Sequence, residues 1–269
     1  MGNIPFAAQT PVNIRRVGLR ARDGNKLADY YKAVLGLQEM RRDGAVIGLG
    51  AGDREVLEIE ESKAFREDDP SSAGLYHTAF LLPERKDLAL WAKHISDLRL
   101  PLEGAADHAV SEAMYLTDPE GNGIEVYVDR PKEAWSYDGS SVRMGNHRLN
   151  FQSLMSEIGE GDVWAAVPDH TVIGHVHTRV GNVQEAERWW NEVQGLDTML
   201  QYGPQAVFLS SGGYHHHIGA NSWHSRGAGA RELDRTGLNY VEFASRDAAA
   251  DSVSSDPWGN EIRVLAGKA

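Results

Sequence analysis

The 269-residue chain contains no cysteine. That absence removes disulfide frameworks, thiolate zinc sites, iron–sulfur clusters and cysteine nucleophiles, so a bound metal has only nitrogen and oxygen ligands to use. Long apolar runs are missing as well. No stretch approaches the roughly 20 residues that span a bilayer, and the opening MGNIPFAAQTPVNIRR lacks the charged-then-apolar layout of a signal peptide. Basic residues are outnumbered, 27 Lys and Arg against 39 Asp and Glu, for a formal charge of −12 with no local basic patch. Such a surface repels nucleic acid and anionic membranes. The expected setting is a reducing cytoplasm, with no nucleic-acid or membrane partner. Histidine is what the chain has in quantity, eleven copies, alongside 39 carboxylates.

The length suggests two domains, and internal similarity shows how they are built. The segment VGLRARDGNKLADYYKAVLGL at 17–37 aligns with VHTRVGNVQEAERWWNEVQGL at 176–196 at a constant offset of 159 residues. Each reads as a strand, an Asp- or Asn-capped loop, an amphipathic helix with an aromatic pair, and a glycine stop. A second pair joins GLYHTAFLLP at 74–83 to GLNYVEFASR at 237–246, and DPEGNGIEVYV at 118–128 to DPWGNEIRVLA at 256–266. Between its two matches the later member is 25 residues shorter. It lacks the stretch that in the earlier one carries an amphipathic helix (about 84–97) and the following strand region.

Four units follow, near 13–60, 74–130, 172–220 and 237–267. The pattern predicts an α+β fold of repeated βαβββ units with the fourth truncated. The halves run over 1–130 and 172–269, joined by an irregular linker, 131–171, with one short helix near 150–158. The missing helix should bare sheet surface for a partner subunit or a mobile segment to cover. Tyr30, Tyr31, Trp189 and Trp190 are expected to be core.

Residues two apart on a strand share a face, so His175 and His177 of IGHVH point the same way. The repeat matches His175 with Arg16 and His177 with Gly18. His77 opens the second unit where the fourth has Tyr240. Glu125, between Ile124 and Val126, has Arg263 as its counterpart; a carboxylate in so apolar a strand needs a charge partner or a metal. The second and third units thus keep a His, Glu and His set that the first and fourth have lost. Two histidines and one carboxylate make the facial triad of non-haem Fe(II) oxygenases, which leaves coordination positions open.

GLYHTAFLLP, HAVSEAMYLTDPEGNGIEVYVDRP, IGHVHTRV and SGGYHHHIGANSW together resemble the vicinal oxygen chelate superfamily, the glyoxalase and extradiol dioxygenase fold, and in particular its catechol 2,3-dioxygenase-like members. The resemblance implies two half-barrel-forming halves and a metal held by His77, His175 and Glu125: Fe(II), or Mn(II) in its place, with O2 as co-substrate. It also implies that Tyr115, ten residues before Glu125, stabilises the reacting intermediate. An acid–base histidine is expected on the strand Gly213–Ile218, with His216 favoured and His215 and His217 lining the pocket or holding the tautomer. His108 and His177 are expected to contact substrate, whereas His94, His147, His170 and His224 fall on surface or linker.

The implied reaction opens an aromatic ring next to a vicinal diol, in an expected homo-oligomer acting on a small aromatic diol. Within the same fold the alternatives are a hydroquinone-cleaving dioxygenase, a glyoxalase-type isomerase or lyase with a fourth protein ligand, and a metal-free ligand-binding module.

Overall fold

The computed structural model describes residues 4–267. Unit one is β1 (Val12–Ala21), α1 (Gly24–Leu35), β2 (Gln38–Asp43), β3 (Val46–Ala51) and β4 (Arg54–Glu61). Unit two repeats it as β5 (Gly74–Leu82), α2 (Arg85–Asp97), β6 (Gly104–Asp107), β7 (Ser111–Thr117) and β8 (Gly123–Asp129). The connecting segment carries β9 (Tyr137–Asp138), β10 (Ser141–Val142), β11 (His147–Arg148) and a short α3 (Phe151–Met155). Unit three is β12 (Val172–Arg179), α4 (Val183–Gln194), β13 (Asp197–Tyr202), β14 (Ala206–Ser210) and β15 (Ile218–Asn221). Unit four has only β16 (Gly237–Ser245), β17 (Ser252–Ser255) and β18 (Glu261–Ala266), so the helix and one strand are absent as the repeat predicts.

The repeated sequence signals act through the same local chemistry. Asp23 caps α1 by accepting from the Lys26 amide, and Asn182 caps α4 by accepting from the Glu185 amide. Both helices end at a left-handed glycine, Gly36 at φ 76° and Gly195 at φ 66°. The two DPxGN turns are also alike. Asp118 binds the Glu120 and Asn122 amides and the Asn122 side chain, and Asp256 does the same for Trp258 and Asn260. Each turn fixes where the last strand of its unit starts, and so which residues face the concave side.

The strands form a nine-stranded sheet, β11-β6-β7-β8-β5-β12-β15-β14-β13, and a seven-stranded sheet, β17-β18-β16-β1-β4-β3-β2, each curled into a half-barrel. Units two and three meet through antiparallel β5 and β12; units one and four meet through antiparallel β1 and β16. The expected division into 1–130, 131–171 and 172–269 therefore follows chain order but not packing, because each sheet draws on both halves. One apolar core, including Val17, Leu27, Trp91, Val176, Trp190 and Phe243, spans the two sheets and the helices. Tyr31 and Trp190 are fully buried in it, with Tyr30 and Trp189 packed against its edge.

The truncated unit buries part of its apolar surface within the chain, although Val253 of β17 stays 69% exposed. Val241, Phe243 and Ile262 are buried within the chain, and Trp190 of α4 packs 5.9 Å from Phe243. The helix of unit three thus touches β16 through Trp190, next to the place where unit four lacks its own helix. Among the described residues, no helix is long and apolar enough to cross a membrane.

Candidate metal centre

Three strands bring the expected ligand residues together on the concave face of the nine-stranded sheet. In the β5–β12 ladder His77 lies opposite His177, and His175 opposite Ala79. On the other side of β5, Ala79 is also in register with Glu125 of β8. A methyl group at the centre leaves the space into which the flanking side chains converge.

The convergence is tight. His77 Nε2 and His175 Nε2 are 3.3 Å apart, and each lies 3.0 Å from Glu125 Oε2. All three residues are buried. These separations match adjacent corners of a coordination polyhedron with bonds of about 2.1 Å. Three lone-pair donors held so close repel one another unless a proton or a cation lies among them.

The electrostatics agree. Burial opposes ionisation of Glu125, but His175 and His77 overcome it and hold the carboxyl well below its ordinary value. Burial also lowers His175 to about 4 against the opposing pull of Glu125. An ionised carboxylate beside a neutral imidazole is the donor chemistry that a divalent cation requires, and the residues present fit such an ion.

The ligands open onto a pocket of about 580 Å³. Tyr115 and His108 line it, as does His216, whose ring centroid stands 4.0 Å from that of His175. His108 Nδ1 lies 2.8 Å from the Gly145 carbonyl, which only accepts, so the proton sits on Nδ1. Its Nε2 then receives the Tyr115 hydroxyl at 2.7 Å. Burial, with the charge of Glu125, raises the Tyr115 phenol well above its ordinary value, so it stays protonated. While that proton is directed at His108, Tyr115 donates to a pocket ligand only if His108 carries a proton on both nitrogens.

His177 lines the pocket too, among Tyr76, Phe208 and Trp223, with ring centroids 5.2–5.7 Å away. Its Nε2 is buried without a partner, and burial holds the ring neutral. Gly219 makes room for it: a Cβ there would stand 2.8 Å from the imidazole.

The histidine run departs from expectation. Residues 211–217 are not strand but a bend containing two left-handed glycines, Gly212 at φ 64° and Gly213 at φ 75°, and β15 begins only at Ile218. Strict alternation is lost and the three side chains diverge. His216 turns to the pocket, whereas His215 and His217 are fully buried away from it and line none of it. His215 meets Asp129. His217 is held between Ser210 at 2.9 Å and the Ala7 carbonyl at 3.0 Å, fastening the N-terminal turn Phe6–Gln9 to the sheet. The expectation that His215 and His217 line the pocket is therefore corrected: neither reaches it.

Other pocket residues went unread in the sequence. His224 is exposed as expected, but it also lies at the pocket, which Tyr76, Trp223 and Phe208 line as well. Met144, Gly145 and Asn146 of the supposed linker form part of its wall. Those linker positions carry no periodicity or motif by which to find them.

Comparison with known proteins places this geometry. Residues 13–126 match the family model described as the glyoxalase/bleomycin resistance protein/dioxygenase superfamily. The chain is 37% identical over 230 residues to catechol-2,3-dioxygenase of Bacillus subtilis (strain 168), a match covering 82% of this chain and 79% of that protein. It is 32% identical over 117 residues to biphenyl-2,3-diol 1,2-dioxygenase 3 of Rhodococcus globerulus, covering 41% and 62% respectively. Among solved structures, glyoxalase I from Zea mays superposes with a TM-score of 0.57 at 12% identity, over 97% of this chain and 95% of that one. The cppA protein from Streptococcus pneumoniae TIGR4 gives 0.53 at 12% identity, over 95% and 99%. With the fold, the ordered motifs and the long match to a dioxygenase in agreement, the chain belongs to the glyoxalase/bleomycin resistance protein/dioxygenase superfamily.

Proposed function

We propose that the protein is an extradiol dioxygenase that opens a catechol-type ring next to its vicinal diol, using Fe(II), or Mn(II) in its place, held by His77, His175 and Glu125. The observation that carries this reading is the three-residue ligand set. Among the described residues no further histidine or carboxylate joins the cluster, so three protein ligands leave room for both oxygens of a chelating diol and for O2. A glyoxalase-type centre would need a fourth protein ligand, and a metal-free binding module gives no reason for a buried anion beside two imidazoles. The match to catechol-2,3-dioxygenase supports the same conclusion.

When bound, the metal acidifies the diol and supplies the one-electron chemistry that O2 requires. The remaining work falls to the chain. His216 presents its free ring edge to the pocket and accepts a diol proton, later returning one to the product side. The His108–Tyr115 pair forms a second route by which a proton enters or leaves, and Tyr115 donates to developing oxyanion charge once His108 is doubly protonated. Tyr76, Phe208 and Trp223 enclose the flat ring and limit water. His177 adds a neutral imidazole to the same wall.

The test is anaerobic loading with Fe(II), followed by oxygen uptake with a panel of catechols and hydroquinones. Uptake with catechols and a yellow ring-opened semialdehyde are expected. Uptake with hydroquinones alone would move the assignment to their cleavage, and uptake with neither would overturn ring cleavage.

A further inference from the structure

His216 turns toward the pocket, but the hydrogen bonds behind it decide which of its nitrogens carries the proton. Its Nδ1 is 2.7 Å from His215 Nδ1, and His215 Nε2 is 2.9 Å from Asp129 Oδ1. The Tyr214 hydroxyl donates to the same carboxylate oxygen at 3.2 Å, and the Trp135 ring packs 5.2 Å from that of His215. His215 is wholly buried, with the Tyr214 ring 4.0 Å from its own, and these two hydrogen bonds take up both of its ring nitrogens.

A carboxylate only accepts, so His215 carries its proton on Nε2. A neutral imidazole has a single N–H, which leaves His215 Nδ1 as an acceptor. The 2.7 Å contact then requires the proton of His216 to sit on its Nδ1. What His216 shows the pocket is consequently an Nε2 lone pair, the form that takes a proton from a bound hydroxyl.

We propose that Asp129 and His215 are positioning residues that lock His216 in the Nδ1–H tautomer and aim its Nε2 lone pair at the substrate. This rests on the reading of His216 as the proton carrier. Neither residue touches substrate; both act through His216. The arrangement also selects the ligand, because an Nε2 acceptor favours a group that arrives as a hydroxyl donor over one that arrives as a carbonyl.

The test is nitrogen-15 NMR of histidine-labelled, metal-free protein, with His216→Asn used to assign the His216 resonances. In the wild type His216 should show a protonated Nδ1 and a bare Nε2, and His215 the reverse. His215→Phe should release His216 toward the Nε2–H form. In Fe(II)-loaded enzyme with catechol as probe, it should lower kcat about 10²-fold, the scale of a lost general base, with metal content unchanged and KM little moved. His215→Asn keeps a carbonyl acceptor near the lost Nδ1 and should restore both the tautomer and most of kcat. Should His215→Phe not fold, Asp129→Ala serves in its place and should give a mixture of tautomers at both histidines.

A wild-type His216 protonated on Nε2 overturns the proposal. So does a His215→Phe that keeps the wild-type tautomer, or a His215→Asn as impaired as His215→Phe. Absence of turnover with any diol, alongside the expected NMR pattern, would defeat the dioxygenase reading and leave the tautomer lock standing.

Discussion

The two half-barrels place different chemistry on equivalent backbone positions. In the site sheet, His175 lies opposite Ala79, which is in register with Glu125. In the other, Arg16 lies opposite Glu242, which is in register with Arg263. The parallel ladders extend the correspondence. Val176 pairs with Ile218 and Val17 with Leu57, so Glu55 occupies the position of His216. Where the site sheet gathers imidazoles around one carboxylate, its counterpart ties Arg16 to Glu55 and Glu242, and Arg41 to Glu55 and Glu58. The Arg263 guanidinium sits 3.6 Å over the ring of Tyr240, the residue in the place of His77. Gly18 replaces His177 because a Cβ there would meet that tyrosine ring at 2.3 Å. Three arginines balance three glutamates in one sheet, whereas the other holds an anion with no cation of its own. A duplicated frame has become a self-neutralised brace on one side and a buried anion between imidazoles on the other.

The comparison breaks most visibly at the ligands. Glu125→Gln should abolish metal retention and lower turnover by at least about 10³-fold, or about 4 kcal/mol of transition-state stabilisation. Arg263→Ala, at the matching place, should leave metal content unchanged; elemental analysis with oxygen uptake checks both. Stability should show the reverse pattern. Arg16→Ala leaves the buried Glu242 without its close partner and should cost about 3 kcal/mol in urea unfolding, with metal binding intact. Equal effects of Arg16→Ala and Glu125→Gln on metal-free stability would erase the distinction. Adding Mn(II) at a hundred times its dissociation constant should then stabilise the wild type by about 2.7 kcal/mol and leave Glu125→Gln unmoved in a thermal melt.

The smallest expected effect concerns pH. Burial lowers His217 to about 3, against the opposing hydrogen bond to Ala7, so the folded chain keeps it neutral. Below the unfolded value of about 6.5 the unfolded chain takes up a proton that the folded chain refuses, and stability falls as pH drops. The loss should run from near pH 6.5 toward pH 3 at about 1.4 kcal/mol per unit for this one group. Between pH 7 and 5.5 this amounts to about 1.2 kcal/mol, which His217→Gln should remove from the difference between urea melts at the two pH values. An unchanged slope would show that His217 titrates normally.

The buried cluster was legible because strand alternation and the repeat are both local: His77, Glu125 and His175 can be found by counting. The truncation of unit four was legible for the same reason. Sheet partnership was not. All four units begin with similar strands, and which edges meet is settled by packing across the whole chain; the His, Glu and His set shared by units two and three says which units meet at the site but not which strands. The histidine run misled for a physical reason. Gly212 and Gly213 bend the backbone out of strand geometry, and the period of two fails where His215, His216 and His217 need it. The pocket wall at Met144, Gly145 and Asn146 comes from a segment with no periodicity to read.

The pairing of the first strand with the last unit has a consequence for how the molecule is made. Every strand that positions His77, Glu125, His175 and His216 precedes unit four in the chain, ending at Asn221, yet β1 sits between β4 and β16 and gains its second neighbour only from residues 237–245. The nine-stranded sheet is therefore made before its counterpart is complete, while an open strand edge waits for the last unit, the kind of edge that invites pairing with another chain. Loss of unit four should thus appear as aggregation of newly made protein before it appears as loss of chemistry.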